Sequence, residues 1–253
     1  MNGWLLVTGL LLMPAAQAVQ KIVIGAETQA PPFSYLDENQ QLKGITVEII
    51  ASIYNQHPQY QVQLEPLPFI RCLSDVQAGL IDGCFHTPIT RQNQHSFKWS
   101  RQAVASDNVV FLMPASSSKT YTQHSDLYQL NVGAVLGYIY PPAFEDDANI
   151  KKFLVSTDGN LLKMLANERI DIAPIFERLA AIELKQQPAL TKQLKRVGEM
   201  SVLNMYIAFN KDKAYLDDFI KNFDSEFEQI KKTSQWRVWQ RAAEYQLPKE
   251  ISQ

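Results

Sequence analysis

Two stretches of the chain carry side chains suited to gripping a small molecule. In the first, Gly25 ends the apolar run Lys21-Ile22-Val23-Ile24 and Glu27 follows closely. Pro31 and Pro32 then stiffen a loop that holds out Phe33 and Tyr35 at the end of the strand. In the second, Ile81-Asp82-Gly83-Cys84-Phe85 reads as a strand with Phe85 and His86 at its end. Aromatic faces in such places can sandwich an apolar or cationic group. Glu27 can accept hydrogen bonds from a cation or a hydroxyl. The chemistry expected is recognition: spacing shows no nucleophile with its base and no acid–base dyad, and Glu27, His86 and Glu177 are merely candidates. No catalytic residue is assigned.

Metal chemistry is not expected either. Two cysteines, Cys72 and Cys84, cannot furnish a four-ligand zinc site without histidines, and His57, His86, His95 and His124 are scattered. The cysteines lie twelve apart, one on a helix and the other on the strand after it. They are either a disulfide of an oxidising compartment or two small buried hydrophobes. No cofactor is called for.

The elements that position these residues alternate. Val62 and Leu64 mark a short strand ended by Pro66 and Pro68, and Phe69, Leu73, Val76 and Leu80 share one helical face. Before them, Thr46 is a candidate N-cap for a helix carrying Ile49, Ile50 and Ile53. Strand, helix, strand, helix, strand is the order of an α/β unit with a mainly parallel sheet. Val109 to Met113 is a further buried strand, and Pro114 to Ser118 breaks the pattern. The second half repeats the outline. Val132 to Gly137 and Phe153 to Val155 are strands, and Asp158 caps a helix with Leu161, Met164 and Leu165. That helix hands over to a strand through Ile170-Asp171, as the earlier one does through Ile81-Asp82, so two related lobes are favoured over one continuous sheet. Met205 to Phe209 is a strand, and Leu216, Phe219, Ile220, Phe223, Phe227 and Ile230 form a long apolar helical face. Trp236 and Trp239 lie on a last helix, where core packing is the expected role.

Composition fits a folded protein: 46% hydrophobic, 20% charged, and a formal charge of -2 that gives no reason to expect nucleic acid. Residues 1–18 hold no charged side chain; an apolar run from Trp4 to Met13 precedes Pro14 and Ala16-Gln17-Ala18. This reads as a secretory signal peptide, although its start lacks the usual Lys or Arg. The chain from Val19 on is expected to be soluble and periplasmic.

The order Gly25, Pro31-Pro32-Phe33-Ser34-Tyr35, Gly44-Ile45-Thr46-Val47-Glu48, Phe69 to Asp82, then Thr87-Pro88-Ile89-Thr90-Arg91 and Trp99-Ser100 resembles the periplasmic solute-binding proteins of polar amino acid ABC transporters, bacterial family 3. The likeness runs over nearly the whole chain from residue 19. It implies an α/β fold of two lobes, type II among periplasmic binding proteins, each a mainly parallel sheet flanked by helices and joined by two hinge strands. Residues 19–110 with 205–253 would form the first lobe and 111–204 the second, with hinges near Val110 to Met113 and Leu203 to Ile207. It also implies a small-molecule ligand, a monomer, and an inner-membrane ABC permease or receptor as partner. The alternatives on the same fold are a ligand sensor and a dehydratase-like enzyme.

The resemblance gives ligand roles to Glu27 and Arg91, and its cleft takes in Phe33, Tyr35, Phe85, His86 and Thr87 of the first lobe and Tyr138, Tyr140, Phe176 and Glu177 of the second. Tyr138 and Tyr140 replace the family's small hydroxylated residue and suit a larger, flatter or cationic molecule. Arg91 matches the family's arginine for an α-carboxylate, a task suited to a planar guanidinium fork. It lies four residues after Thr87 instead of three, so Asn93 and Arg101 are alternatives for its place. In the second lobe the aspartate expected to hold an α-amino group is replaced by Phe176, with Glu177 one residue late. Either Glu177 reaches in or the ligand is not an ordinary α-amino acid.

Overall fold

A computed structural model of the protein describes residues 19–244 together with Leu247, Pro248 and Ile251. The expected leader, residues 1–18, lies outside the described residues. β1 (Gln20–Glu27) buries Ile22, Ile24 and Ala26 and leads into a small antiparallel sheet of β2 (Gln29–Ala30), β3 (Ser34–Leu36) and β4 (Leu42–Lys43), which the sequence reading left as loop. α1 (Ile45–Tyr54) buries Ile49, Ile50 and Ile53 as its spacing predicts. Its N-cap is Gly44, not Thr46, which is the second helical residue. β5 (Tyr60–Leu67) and α2 (Phe69–Gln77) follow, then β6 (Gly83–Pro88). Leu80 falls past the end of α2 and is 71% exposed, so it does not share the buried face. Cys72 of α2 and Cys84 of β6 form a disulfide.

β7 (Phe97–Trp99) and the long β8 (Ala105–Pro114) lead to the second half: β9 (Val132–Val135), α3 (Pro142–Glu145), β10 (Lys152–Val155), α4 (Asp158–Ala166), β11 (Ala173–Phe176), α5 (Glu177–Gln186) and α6 (Pro188–Thr191). Thr157 caps α4 by accepting the Asn160 N–H, and Asp158 is the first helical residue instead of the cap. β12 (Leu194–Asn210) then crosses back for 17 residues, followed by α7 (Leu216–Ile230) and α8 (Ser234–Ala242).

β8 and β12 are the two crossing strands, paired antiparallel from Leu194↔Pro114 to Met205↔Ala105. They link both halves into one sheet of order β11-β8-β12-β6-β1-β5, with β7 on β12. β1 runs parallel to β5 and β6 while the crossing strands add antiparallel pairs, so the sheet is mixed instead of mainly parallel, and β9 and β10 form a separate parallel pair. Hydrogen bonding is continuous but the cores are separate. One gathers β1, α1 and α7 around Phe85, Phe209, Phe219 and Phe223, each worth about 1.5 to 3 kcal/mol when fully buried. A small one lies between α2 and β6 around Cys72, Val76, Ile81 and Cys84, and two more lie on the faces of β8: Val110 and Leu112 face α4 and α5, and Val109, Phe111 and Met113 face Leu127, Tyr140 and Phe144. This is the two-residue alternation of a strand covered on both sides.

Core membership changes between Ala105 and Val109 on β8, and between Met205 and Leu203 on β12. The intervening stretches pair directly, Leu203 with Asp107 and Asn204 with Ser106. Val110 to Met113, expected at the hinge, instead lies inside the second lobe's core, as do Leu247 and Ile251.

The Ile-Asp echo has a structural counterpart. Asp82 donates its N–H to the Val23 carbonyl at 2.8 Å and accepts the Val23 N–H on Oδ2 at 2.7 Å. Asp171 does the same with Asn131, at 2.8 Å each way. Each aspartate also pairs with a lysine, Lys213 at 2.6 Å and Lys119 at 2.7 Å.

Candidate functional site

The loop after β1 is fastened on three sides. The Ser34 hydroxyl donates to the Glu27 carbonyl at 2.6 Å, and the first N–H groups of α1, from Ile45 and Thr46, donate to the Pro32 and Phe33 carbonyls at 3.0 and 2.9 Å. Those helix donors would otherwise lack partners. Gly44, at φ 128°, lets the helix start pass so close that a Cβ there would stand 2.3 Å from the Phe33 oxygen. Phe33 is thereby fixed over the ends of β1 and β6.

His86 enters from β6 with φ 54°, an uncommon backbone conformation for a non-glycine residue. It is 3% exposed, its Nε2 lies 2.8 Å from the Thr46 hydroxyl, and its Nδ1 faces Glu27 Oε2 at 3.6 Å. Nδ1 has no hydrogen-bond partner although it is buried. The disulfide anchors Cys84, two residues earlier, to α2.

Opposite stand Tyr138 and Phe176, ring centroids 5.7 Å apart in an edge-on arrangement. The Tyr138 hydroxyl donates to Asp158 Oδ2 at 2.6 Å, and burial, with the nearby charges of Asp158 and Glu27, pushes that phenol well up. Asp158 is itself buried, which raises its carboxyl to about 6 against the pull of the Tyr138 hydrogen bond. Its Oδ1 has no partner.

Glu27, Phe33, His86, Tyr138 and Phe176 line one cavity of about 50 Å³, completed by Phe69, Asp107, Met205 and neighbouring apolar residues. Asp107 sits at the changeover on β8. It receives the backbone N–H of Arg178 and of Asn108, and the Arg178 guanidinium at 3.2 Å; burial still raises its carboxyl, to about 7. Arg178 is further held by donating to the carbonyls of Ala243, at 2.6 Å, and Ser106, and its guanidinium lies over Phe33 at 5.6 Å. It lines a neighbouring groove with Trp236 and Trp239, not this cavity.

The other expected residues lie elsewhere. Tyr35 lines a larger outer groove of about 1160 Å³, which shares Pro31 and Leu179 with the cavity. Phe85 and Thr87 are fully buried, Phe85 in the first core. Tyr140 is buried in the second lobe, stacked on Phe176 and accepting the Val135 N–H at 3.0 Å. Glu177 points to Asn108 and Arg196, at 2.9 and 3.2 Å, and so does not reach the cavity. Arg91 is exposed on a turn that Asn93 closes by accepting the Thr90 N–H and donating to the Pro88 carbonyl. Arg91 is not among the cavity's residues, and neither alternative, Asn93 or Arg101, lines it.

Asp107, Arg178 and Asp158 were missed or given other roles. The signal available for Asp107 was an acid two residues before the apolar run that starts at Val109; for Asp158 it was a helix start, which hid its second role. Among the described residues no group of three His, Cys, Asp or Glu is arranged to hold a metal ion, and no helix is long and apolar enough to cross a membrane.

A family model of the bacterial extracellular solute-binding proteins, family 3, matches residues 22–241. The chain belongs to that family. None of the curated proteins compared with it matches. Among solved structures, this family 3 chain is similar to an ancestral arginine-binding protein bound to arginine, with 21% identity over 87% of this chain and 96% of that one and a TM-score of 0.72. A histidine kinase sensor domain with similarity to periplasmic binding proteins is 17% identical over 92% and 99%, with a TM-score of 0.77. A putative L-cystine ABC transporter protein from Listeria monocytogenes is 21% identical over 93% and 99%, with a TM-score of 0.70. At these identities the likeness is one of fold, the two-lobed α/β architecture of periplasmic binding proteins.

Proposed function

We propose that this family 3 protein captures a small polar solute, an amino acid or a related amine or carboxylate, between its lobes in the periplasm and delivers it as a monomer to an inner-membrane ABC permease. The observation that carries the reading is the cavity in which Glu27, Phe33 and His86 of one lobe meet Tyr138 and Phe176 of the other beside the crossing strands. A ligand touching both walls favours the closed arrangement over the open one and shifts the population toward it. The cavity measures about 50 Å³, against roughly 150 Å³ for one that holds benzene, so entry requires the lobes to part. The lobes, expected as residues 19–110 with 205–253 and residues 111–204, are better divided at Ser106–Asn108 and Val202–Asn204, where core membership changes, with Leu247 and Ile251 going to the second lobe. Recognition instead of catalysis is supported by the family and by the binding proteins among its structural neighbours.

Thermal unfolding of the purified protein against amino acids, amines and organic acids tests this. A ligand at 100 times its dissociation constant adds about 2.7 kcal/mol, a midpoint shift of roughly 5 to 10 °C for a protein of this size. A panel without any shift would refute solute capture. The sensor-domain neighbour favours a second reading, in which the closed form is presented to a membrane receptor. Stimulation of a permease's ATPase by the liganded protein supports delivery; its absence, with binding to a receptor domain, supports sensing.

A further inference from the structure

We infer that the solute is an organic amine without a carboxylate, its ammonium lodged between Glu27 and His86 Nδ1 and its hydrocarbon among Phe33, Tyr138 and Phe176. This deepens the capture reading and rests on it. The first ground is the charge of the lining: it contains the carboxylates of Glu27 and Asp107 and no Lys or Arg. An α-carboxylate enclosed there would lose water without gaining a cationic partner, beside the Glu27 carboxylate, since Asp107 is already paired with Arg178. The two arginines that could have served are elsewhere. Arg91 is exposed on its turn, and Arg178 is held by Asp107 and two carbonyls on the far side of Phe33.

The second ground is independent of charge counting. Two buried polar atoms lack partners, His86 Nδ1 at the cavity, on a residue 3% exposed, and Asp158 Oδ1 at the adjoining groove, on a residue 8% exposed. In the tautomer that carries its proton on Nε2, that N–H donates to the Thr46 hydroxyl 2.8 Å away and Nδ1 is an acceptor directed at the space beside Glu27. An ammonium has three N–H donors and no acceptor, so it satisfies Nδ1 and the Glu27 carboxylate together. A carboxylate satisfies neither. Asp158 Oδ1 supplies a further acceptor on the adjoining groove, within the electrostatic reach of Glu27. The aromatic faces of Phe33, Tyr138 and Phe176 suit the cationic end and its methylenes.

Matched pairs that differ by one carboxylate test the inference by titration calorimetry on the purified protein: arginine with agmatine, lysine with 1,5-diaminopentane, phenylalanine with phenethylamine. At least one amine is expected to bind tenfold or more tighter than its parent amino acid. Glu27→Gln, nearly isosteric, should weaken that amine at least tenfold, while Glu27→Asp, which keeps the charge, recovers part of the loss. Unliganded unfolding midpoints of both variants report whether they fold. Amino acids binding as tightly as their amines overturn the inference and leave solute capture standing. An amine whose affinity ignores Glu27→Gln overturns the assigned ammonium position. No binding in either series overturns the amine class, and only an unresponsive full panel of amino acids, amines and acids overturns solute capture as well.

Discussion

Asp158 links the cleft to pH. Its folded-state value of about 6 lies above the usual 3.8 because burial disfavours the charged form. Between those values the folded chain binds more protons than the unfolded one, so this group's contribution is fully present below about 3.8 and is lost as pH rises through about 6. The loss is at most about 3 kcal/mol. Asp158→Asn removes the titration, so denaturant unfolding of the variant should change less than that of the wild type between pH 4 and 7; equal slopes would reject the assignment. At this scale the sequence was read in part. Glu27 and Phe33 were placed from their own loop, where a strand end and two prolines act locally. Arg91 was transferred by spacing, and a turn closed by Asn93 carries it outward. Asp107 and Arg178 are 71 residues apart and meet only when β8 and α5 pack.

The decisive element is the junction of the first loop with α1. Gly44 combines a positive φ with a near contact to the Phe33 backbone, and neither can relax without moving Phe33 from the cleft. Gly44→Ala is expected to cost about 2 to 4 kcal/mol, read from the denaturant midpoint, and to weaken ligand binding along with it. A variant as stable as the wild type would mean the loop is not fastened there. Helical periodicity placed α1, α2, α4 and α7, but the caps shifted by one or two residues: Gly44 took the role read for Thr46, and Thr157 that read for Asp158. Caps depend on which backbone donors remain open, and here neighbouring carbonyls compete with side chains. The small sheet β2-β3-β4 escaped notice because strands of two or three residues leave no alternation to read.

For the whole molecule, two lobes with separate cores held by one pair of crossing strands predict a closing motion with little internal change in either lobe. Small-angle scattering should show the radius of gyration fall when a stabilising ligand is added. A ligand that raises the unfolding midpoint without compacting the protein would argue against hinge closure. By itself the sequence determined the alternation of strands and helices, the duplicated Ile-Asp handover and the aromatic wall around Phe33, because these rest on local periodicity and on residues near in the chain. Tertiary structure alone decided which side chains share the cavity. It set His86 against Thr46 and Glu27, took Glu177 away to Arg196, and joined Asp107 to Arg178. The first pairing follows from β1 lying parallel beside β6, the others from how β8 and β12 bring distant segments level, and these registries are fixed by packing, beyond the reach of any window of sequence.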